Sequence, residues 1–183
     1  MDETEFWEIV DRAREAAGGD PDAQADLIVE RLTALDPVRV TDFARHFEAR
    51  FHRADRWDVR AAARVLLGGA GDITFENFRC WLIGQGRHVF EGTLHEPDAL
   101  AGLLPPGFDA RTDGEAEEIG YTAYDAYEQL TGTELPSPGL PEPPDAPAGD
   151  PLDLDDPDAL AAACPRLWAR FRVPGTPADR AVS

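Results

Sequence analysis

The chain has 183 residues, 36 acids against 17 lysines plus arginines, and a formal charge of -19 at pH 7. Hydrophobic residues make up 43% of it, which suits one folded domain with a real core rather than a disordered chain. The acidic balance repels phosphate backbones, so neither nucleic acid nor an anionic membrane is expected as main partner, and no apolar run approaches the roughly 20 residues of a membrane span.

The first helix is expected to start at "DETE" (Asp2 to Glu5), an acid followed three residues later by Glu. Phe6, Val10, Ala13 and Ala17 then share one face, and Gly18-Gly19 stops it. No basic stretch followed by an apolar one stands at this end, so no signal peptide is read and a cytoplasmic protein is expected. Asp20-Pro21 and Asp36-Pro37 each place a cap and then Pro at the first helical position. The second helix carries Leu27, Ile28, Leu32 and Leu35; the third carries Val40, Phe43, Phe47 and Phe51. A fourth is predicted from Asp55 to Leu67, ending at Gly68-Gly69.

The fifth is predicted as one central helix near 74–91. On a helical wheel its covered arc holds Trp81, Gln85, Phe78, Val89, Leu82, Phe75, Gly86, Arg79, Phe90 and Ile83. Glu76, Asn77, Cys80, Gly84, Arg87, His88 and Glu91 fall on the other arc. Arg79 and Gln85 are thus the polar residues on the covered side, and Gly86 there admits the close approach of another element. A short helix at Glu96–Leu104 and a longer one from Asp113 to Gly132 follow. From Leu135 to Pro151 the chain is Pro-rich and expected to be extended. Asp156-Pro157 starts a C-terminal helix that Pro165 breaks or restarts. No strand run appears. The expected fold is all-α, a compact bundle of about six to eight helices around the central one, with a Pro-rich segment and a docked short C-terminal helix. The expected divisions are a helical core at 1–132, a Pro-rich acidic linker at 133–155, the C-terminal helix at 156–172 and a frayed tail at 173–183.

Absent residue types exclude chemistry. All 17 cations are Arg, so there is no Schiff-base lysine and no Walker-type phosphate lysine. The serines are Ser137, in a Pro-rich loop, and Ser183, the last residue; a Ser-His-Asp triad is excluded in practice. Cys80 and Cys164 make neither a disulfide framework nor a zinc cluster. His88, Glu91 and His95 have a usable metal spacing, but no further ligand is evident, so neither metal nor cofactor is expected. Cys80 faces away from Arg79, which gives no reason for a low-pKa thiolate.

A buried Arg79 needs an acid. Asp58 lies between Ala61, Ala62 and Val65 on its wheel, and Asp72 just precedes the central helix. Either pairs with Arg79 inside the core, or Arg79 lines a pocket for a carboxylate or phosphate. In the first case, removing Arg79 leaves a buried acid alone, a loss on the order of 3–5 kcal/mol. "GGAGD" (Gly68 to Asp72) reads as a helix C-cap followed by an N-cap rather than an anion cradle, since Asp72 would repel an anion. Arg53, Arg56, Arg60 and Arg64 form a basic stripe that can meet an acidic partner or this chain's own acidic C-terminal half.

"GGAGDITFENFRCWLIGQGRHVFE" resembles the signature of the bacterial domain-of-unknown-function family numbered 4240. The matching positions are Gly68, Gly69, Asp72, Phe75, Phe78, Arg79, Trp81, Leu82, Ile83, Gly86, Val89 and Phe90. "FWEIVDRAR", "RWDVRAAARVLLGG", "EPDALA" and "CPRLWARF" are also similar to it. Where family members often carry Cys, Ser and a second acid after GG, this chain has Ala70, Gly71 and Ile73. The resemblance implies a bacterial, often actinobacterial, cytoplasmic helical domain and supplies no activity. The expected function is a non-enzymatic, regulatory module that binds an unknown protein partner or a small anionic ligand, with Arg56, Arg60 and Arg64 as partner-binding candidates. The alternative is a small enzyme or ligand sensor whose pocket is built from Asp58, Asp72, Glu76, Arg79 and Gln85.

Overall fold

Aspartate decides where several helices begin. Asp2 accepts from Glu5 N at 2.9 Å, Asp36 from Arg39 N at 3.1 Å and Asp156 from Asp158 N at 3.0 Å, each filling a backbone donor that a helix start leaves open. The computed structural model describes residues 1–69, 71–110 and 116–172. In chain order these hold α1 (Glu3–Ala17), α2 (Pro21–Thr33), α3 (Pro37–Arg53), α4 (Trp57–Leu67), α5 (Asp72–Gly84), α6 (Arg87–His95), a 3₁₀ turn (Pro97–Ala99), α7 (Leu100–Leu103), α8 (Glu117–Thr131), α9 (Pro157–Ala163) and α10 (Pro165–Phe171). The fold is all-α, with no strand among the described residues. The predicted helix start at Asp113, the tail at 173–183 and Ala70 lie outside the described residues.

α5 is the central helix. It touches α1, α2, α3, α4, α6 and α8, and Phe78, Leu82 and Ile83 are fully buried along it. Each such side chain contributes about 1.5–3 kcal/mol by leaving water. The predicted continuous helix near 74–91 is corrected: it breaks at Gln85-Gly86 into α5 and α6. Gly86 has φ +87°, and a Cβ there would lie 2.0 Å from Asp11 Oδ1. The same Asp11 oxygen accepts from Arg87 N at 3.2 Å. A carboxylate from α1 thus seats itself over the break, which only a glycine tolerates.

Among the described residues ten α-helices stand where the sequence gives eight helical segments, because α5–α6 and α9–α10 each split, the latter at Pro165. The Pro-rich stretch runs extended and stays on the body. Trp57 N donates to Ala148 O at 3.0 Å, and Ala148 N to Asp55 O at 2.9 Å. α9 and α10 then dock on α4. Asp98, only 7% exposed, receives Arg166 N at 3.1 Å, Arg166 Nε at 2.9 Å and Leu167 N at 2.9 Å.

Candidate functional site

Arg79 is buried, as its wheel position requires, but its acid is neither Asp58 nor Asp72. Its Nη1 lies 4.0 Å from Asp55 Oδ2 and donates to Phe51 O at 3.2 Å. The guanidinium stacks 3.7 Å from the Phe51 ring centroid and 5.0 Å from that of Phe75, a favourable contact for a flat, weakly hydrated cation. Burial pulls its pKa below the ordinary arginine value, against the raising effect of Asp55 and, farther off, Glu76. It remains a cation.

The two proposed acids are engaged elsewhere. Asp58 is held by Arg56, whose Nε reaches Oδ1 at 2.9 Å. Asp72 is exposed and meets Arg60 Nη1 at 3.2 Å. Asp55 was missed because it was expected to open the fourth helix; α4 starts at Trp57 and Asp55 sits in the corner between α3 and α4. Arg60 also grips Asp55, through Nε at 3.0 Å and Nη2 at 2.9 Å. Gln85 is half-buried at the end of α5.

The basic stripe is largely used inside the chain. Beside its grip on Asp58, Arg56 donates to Leu94 O at 2.9 Å, and Arg64 reaches Asp155 and Leu154 O. Arg53 forks onto Glu91 with both contacts at 3.0 Å. Arg172 of the C-terminal segment lies over Gly68, where a Cβ would come within 2.7 Å of its guanidinium. The glycine turn is therefore a left-handed helix cap, at φ +80°, and a landing place for Arg172. Among the described residues no group of three or more His, Cys, Asp or Glu is placed to hold a metal. Burial raises the Cys80 thiol to about 12, so it stays protonated at neutral pH.

A second buried arginine went unread. Arg50, 5% exposed, stacks 4.5 Å from the Phe6 ring centroid and donates to His46 O at 2.8 Å and to Glu3 at 3.1 Å. Burial works to raise the Glu3 carboxyl pKa, yet Arg50, Trp7 and Arg87 together hold it below its ordinary value. The signal was available: Arg50 continues the Val40, Phe43, Phe47 stripe at helical spacing.

An open concavity lies on the other arc of α5, the one holding Glu76, Asn77 and Cys80. α8 packs there. A Cβ on Gly120 would meet Cys80 Sγ at 2.9 Å, and one on Gly84 would meet Ile119 Cδ1 at 2.4 Å. Small residues let the two helices close up at those points. Toward the start of α5 they diverge around a groove of about 320 Å³ between α3, α5 and α8. Its apolar lining includes Ala44, Phe47, Phe51 and Ile73; its polar lining includes Glu48, Glu76, Asn77 and Glu117. Pro138 closes one edge, held by Arg45 Nε donating to its carbonyl at 3.0 Å. Ile73 (75%), Tyr121 (53%) and Tyr124 (50%) are among the most exposed large hydrophobic side chains described, and all three line it.

Of the five pocket candidates, only Glu76 lines this groove; Arg79 stands behind its wall, stacked on Phe51. A second concavity, of about 360 Å³, shares Tyr121 and Thr122 with the first and crosses to α2. It is lined by Asp22, Asp26, Glu118 and Asp125. Among the described residues no helix is long and apolar enough to cross a membrane. No curated protein and no solved structure matches the chain. A family model described as a protein of unknown function (DUF4240) matches residues 1–129.

Proposed function

The chain belongs to the DUF4240 family, which carries no activity with it, and from that premise we propose that it is a non-enzymatic binding module whose recognition face is the groove between α3, α5 and α8. The observation that carries this is the exposure of Ile73, Tyr121 and Tyr124 around one concavity. Exposed aromatic and branched apolar side chains gathered on a recess are what a docking partner buries. The regulatory sense is simple: the module acts through what it holds.

Two alternatives have less support. A pocket enzyme built on Arg79 loses its centre, because that residue is 6% exposed and its guanidinium is engaged by Phe51 and Asp55. A small anionic ligand would meet Glu48, Glu76 and Glu117 in the groove. A protein partner fits better than either.

The test is selection from a random peptide display library on the wild-type chain, followed by rebinding to an Ile73→Asp, Tyr124→Asp variant. Both positions are exposed, so the variant keeps its fold. Enriched peptides should lose binding by about tenfold or more. Enriched peptides that bind both proteins equally, or a selection that enriches none, would overturn the proposal.

A further inference from the structure

Building on that reading, we infer that the groove takes a segment of a partner protein bearing arginine or lysine side chains interleaved with apolar ones. The argument is charge complementarity within an apolar recess. Glu48, Glu76 and Glu117 line the groove, and among the described residues no arginine makes a close ion pair with any of them; Arg79 acts on Glu76 only from behind the wall. Glu48 has His52 at 3.8 Å, and Glu117 accepts from the Tyr121 hydroxyl at 3.3 Å. Elsewhere the chain places its arginines directly against acids: Asp55 and Asp72 with Arg60, Asp58 with Arg56, Glu91 with Arg53, Asp98 with Arg166. Leaving these carboxylates without a close arginine among the described residues, around exposed apolar side chains, makes a surface that attracts cations and rejects anions.

Two features narrow the occupant. Tyr121 and Tyr124 present half-exposed rings beside the carboxylates, and a guanidinium or ammonium gains from an aromatic face and an acid together. The groove also adjoins, across Tyr121 and Thr122 of α8, the concavity lined by Asp22, Asp26, Glu118 and Asp125. A single small amine would leave that second acidic recess empty, whereas a segment crossing α8 places cationic side chains in both. Ile73, Phe47 and Phe51 offer apolar contact in the first recess for residues between the charges.

The test compares a short synthetic peptide of alternating arginine and leucine with the same peptide carrying glutamine for every arginine. Binding is followed by NMR shifts of the full chain and by calorimetry. Because the protein is strongly acidic throughout, two triple variants with the same charge change are compared. One is Glu48→Gln, Glu76→Gln, Glu117→Gln; the other is Glu142→Gln, Asp145→Asn, Asp150→Asn, on the exposed Pro-rich segment. The arginine peptide should shift resonances of Tyr121 and Tyr124, weaken with added salt, and lose about tenfold in affinity on the groove triple. The Pro-rich triple should change it by less than about twofold. Equal losses on both triples would overturn the inference, since bulk charge alone would then explain the attraction. A glutamine peptide that binds the groove as tightly would also overturn it while leaving the binding-module reading in place. An arginine peptide that shifts no groove resonance overturns the inference too; the library selection above then decides the wider reading separately.

Discussion

The two flanks of the central helix α5 use charge in opposite ways. On the α4 flank arginines close the structure. Arg56, Arg60 and Arg64 are matched to Asp58, Asp55 with Asp72, and Asp155. Arg166 holds Asp98, while Arg170 and Arg172 cap the helix-end carbonyls of Ala101, Leu104, Val65 and Leu66. On the α8 flank the carboxylates of the two concavities make no close ion pair with an arginine among the described residues, and the large apolar side chains face solvent. The lesson is that net charge, -19 for the whole chain, says little about where a partner docks. What matters is where the fold leaves acids unmatched.

The strongest way to break the comparison is to open the closed flank. Asp98→Ala strands two backbone N–H groups and leaves the Arg166 guanidinium with Glu96 alone. It should cost about 2–3 kcal/mol, with hydrogen exchange first accelerated across α9 and α10. Denaturant unfolding and exchange mapping check both parts.

Arg79→Met should cost less, about 1–2 kcal/mol by thermal unfolding. The sequence-based expectation of a larger loss assumed that the partner acid would be stranded, but Asp55 keeps Arg60. Peptide binding should weaken only as far as Phe51, the ring that Arg79 backs, shifts in the groove wall.

Acid sharpens the contrast further. Burial alone would raise the Asp98 pKa, but the Leu167 and Arg166 donors outweigh it and hold it below the ordinary value. A depressed carboxyl stabilises the fold above its unfolded value, near 3.9, and that stability is lost as pH falls through the folded value. α9 and α10 should therefore stay docked from neutrality down to about pH 4 and loosen below it. NMR amide signals of Leu167 and its neighbours follow that release.

The smallest effect on stability belongs to the open flank. Ile73→Asp and Tyr124→Asp should each shift unfolding by no more than about 0.5 kcal/mol while abolishing most peptide binding. A large loss of stability would mean that these side chains serve the core.

Much of the scaffold was legible because local rules and packing agree. Asp-Pro starts, glycine stops and the stripe of Phe6, Val10 and Ala13 all stand where periodicity places them. The break at Gly86 was not legible, because the residue that occupies it, Asp11, comes from another helix far away in sequence. Arg79 was legible as buried but not as Asp55's neighbour, since the sequence put Asp55 inside the fourth helix and the fold puts it in the corner before α4. The groove was hidden for the same kind of reason as the break. Cys80 and Gly84 fell on the polar arc of α5, and nothing in a single helix reveals that α8 covers them. Their small size at a four-residue interval, matched by Gly120 on α8, was the available sign of a close helix contact.

The most direct test of the contrast between the flanks is a hydrogen-exchange footprint of the arginine–leucine peptide on the full chain. The expected result is protection confined to the α3, α5 and α8 segments around Glu48, Glu76 and Glu117 and to the α2 residues of the adjoining recess. Protection centred instead on α4 and the C-terminal helices, or spread evenly over the acidic surface, would contradict it.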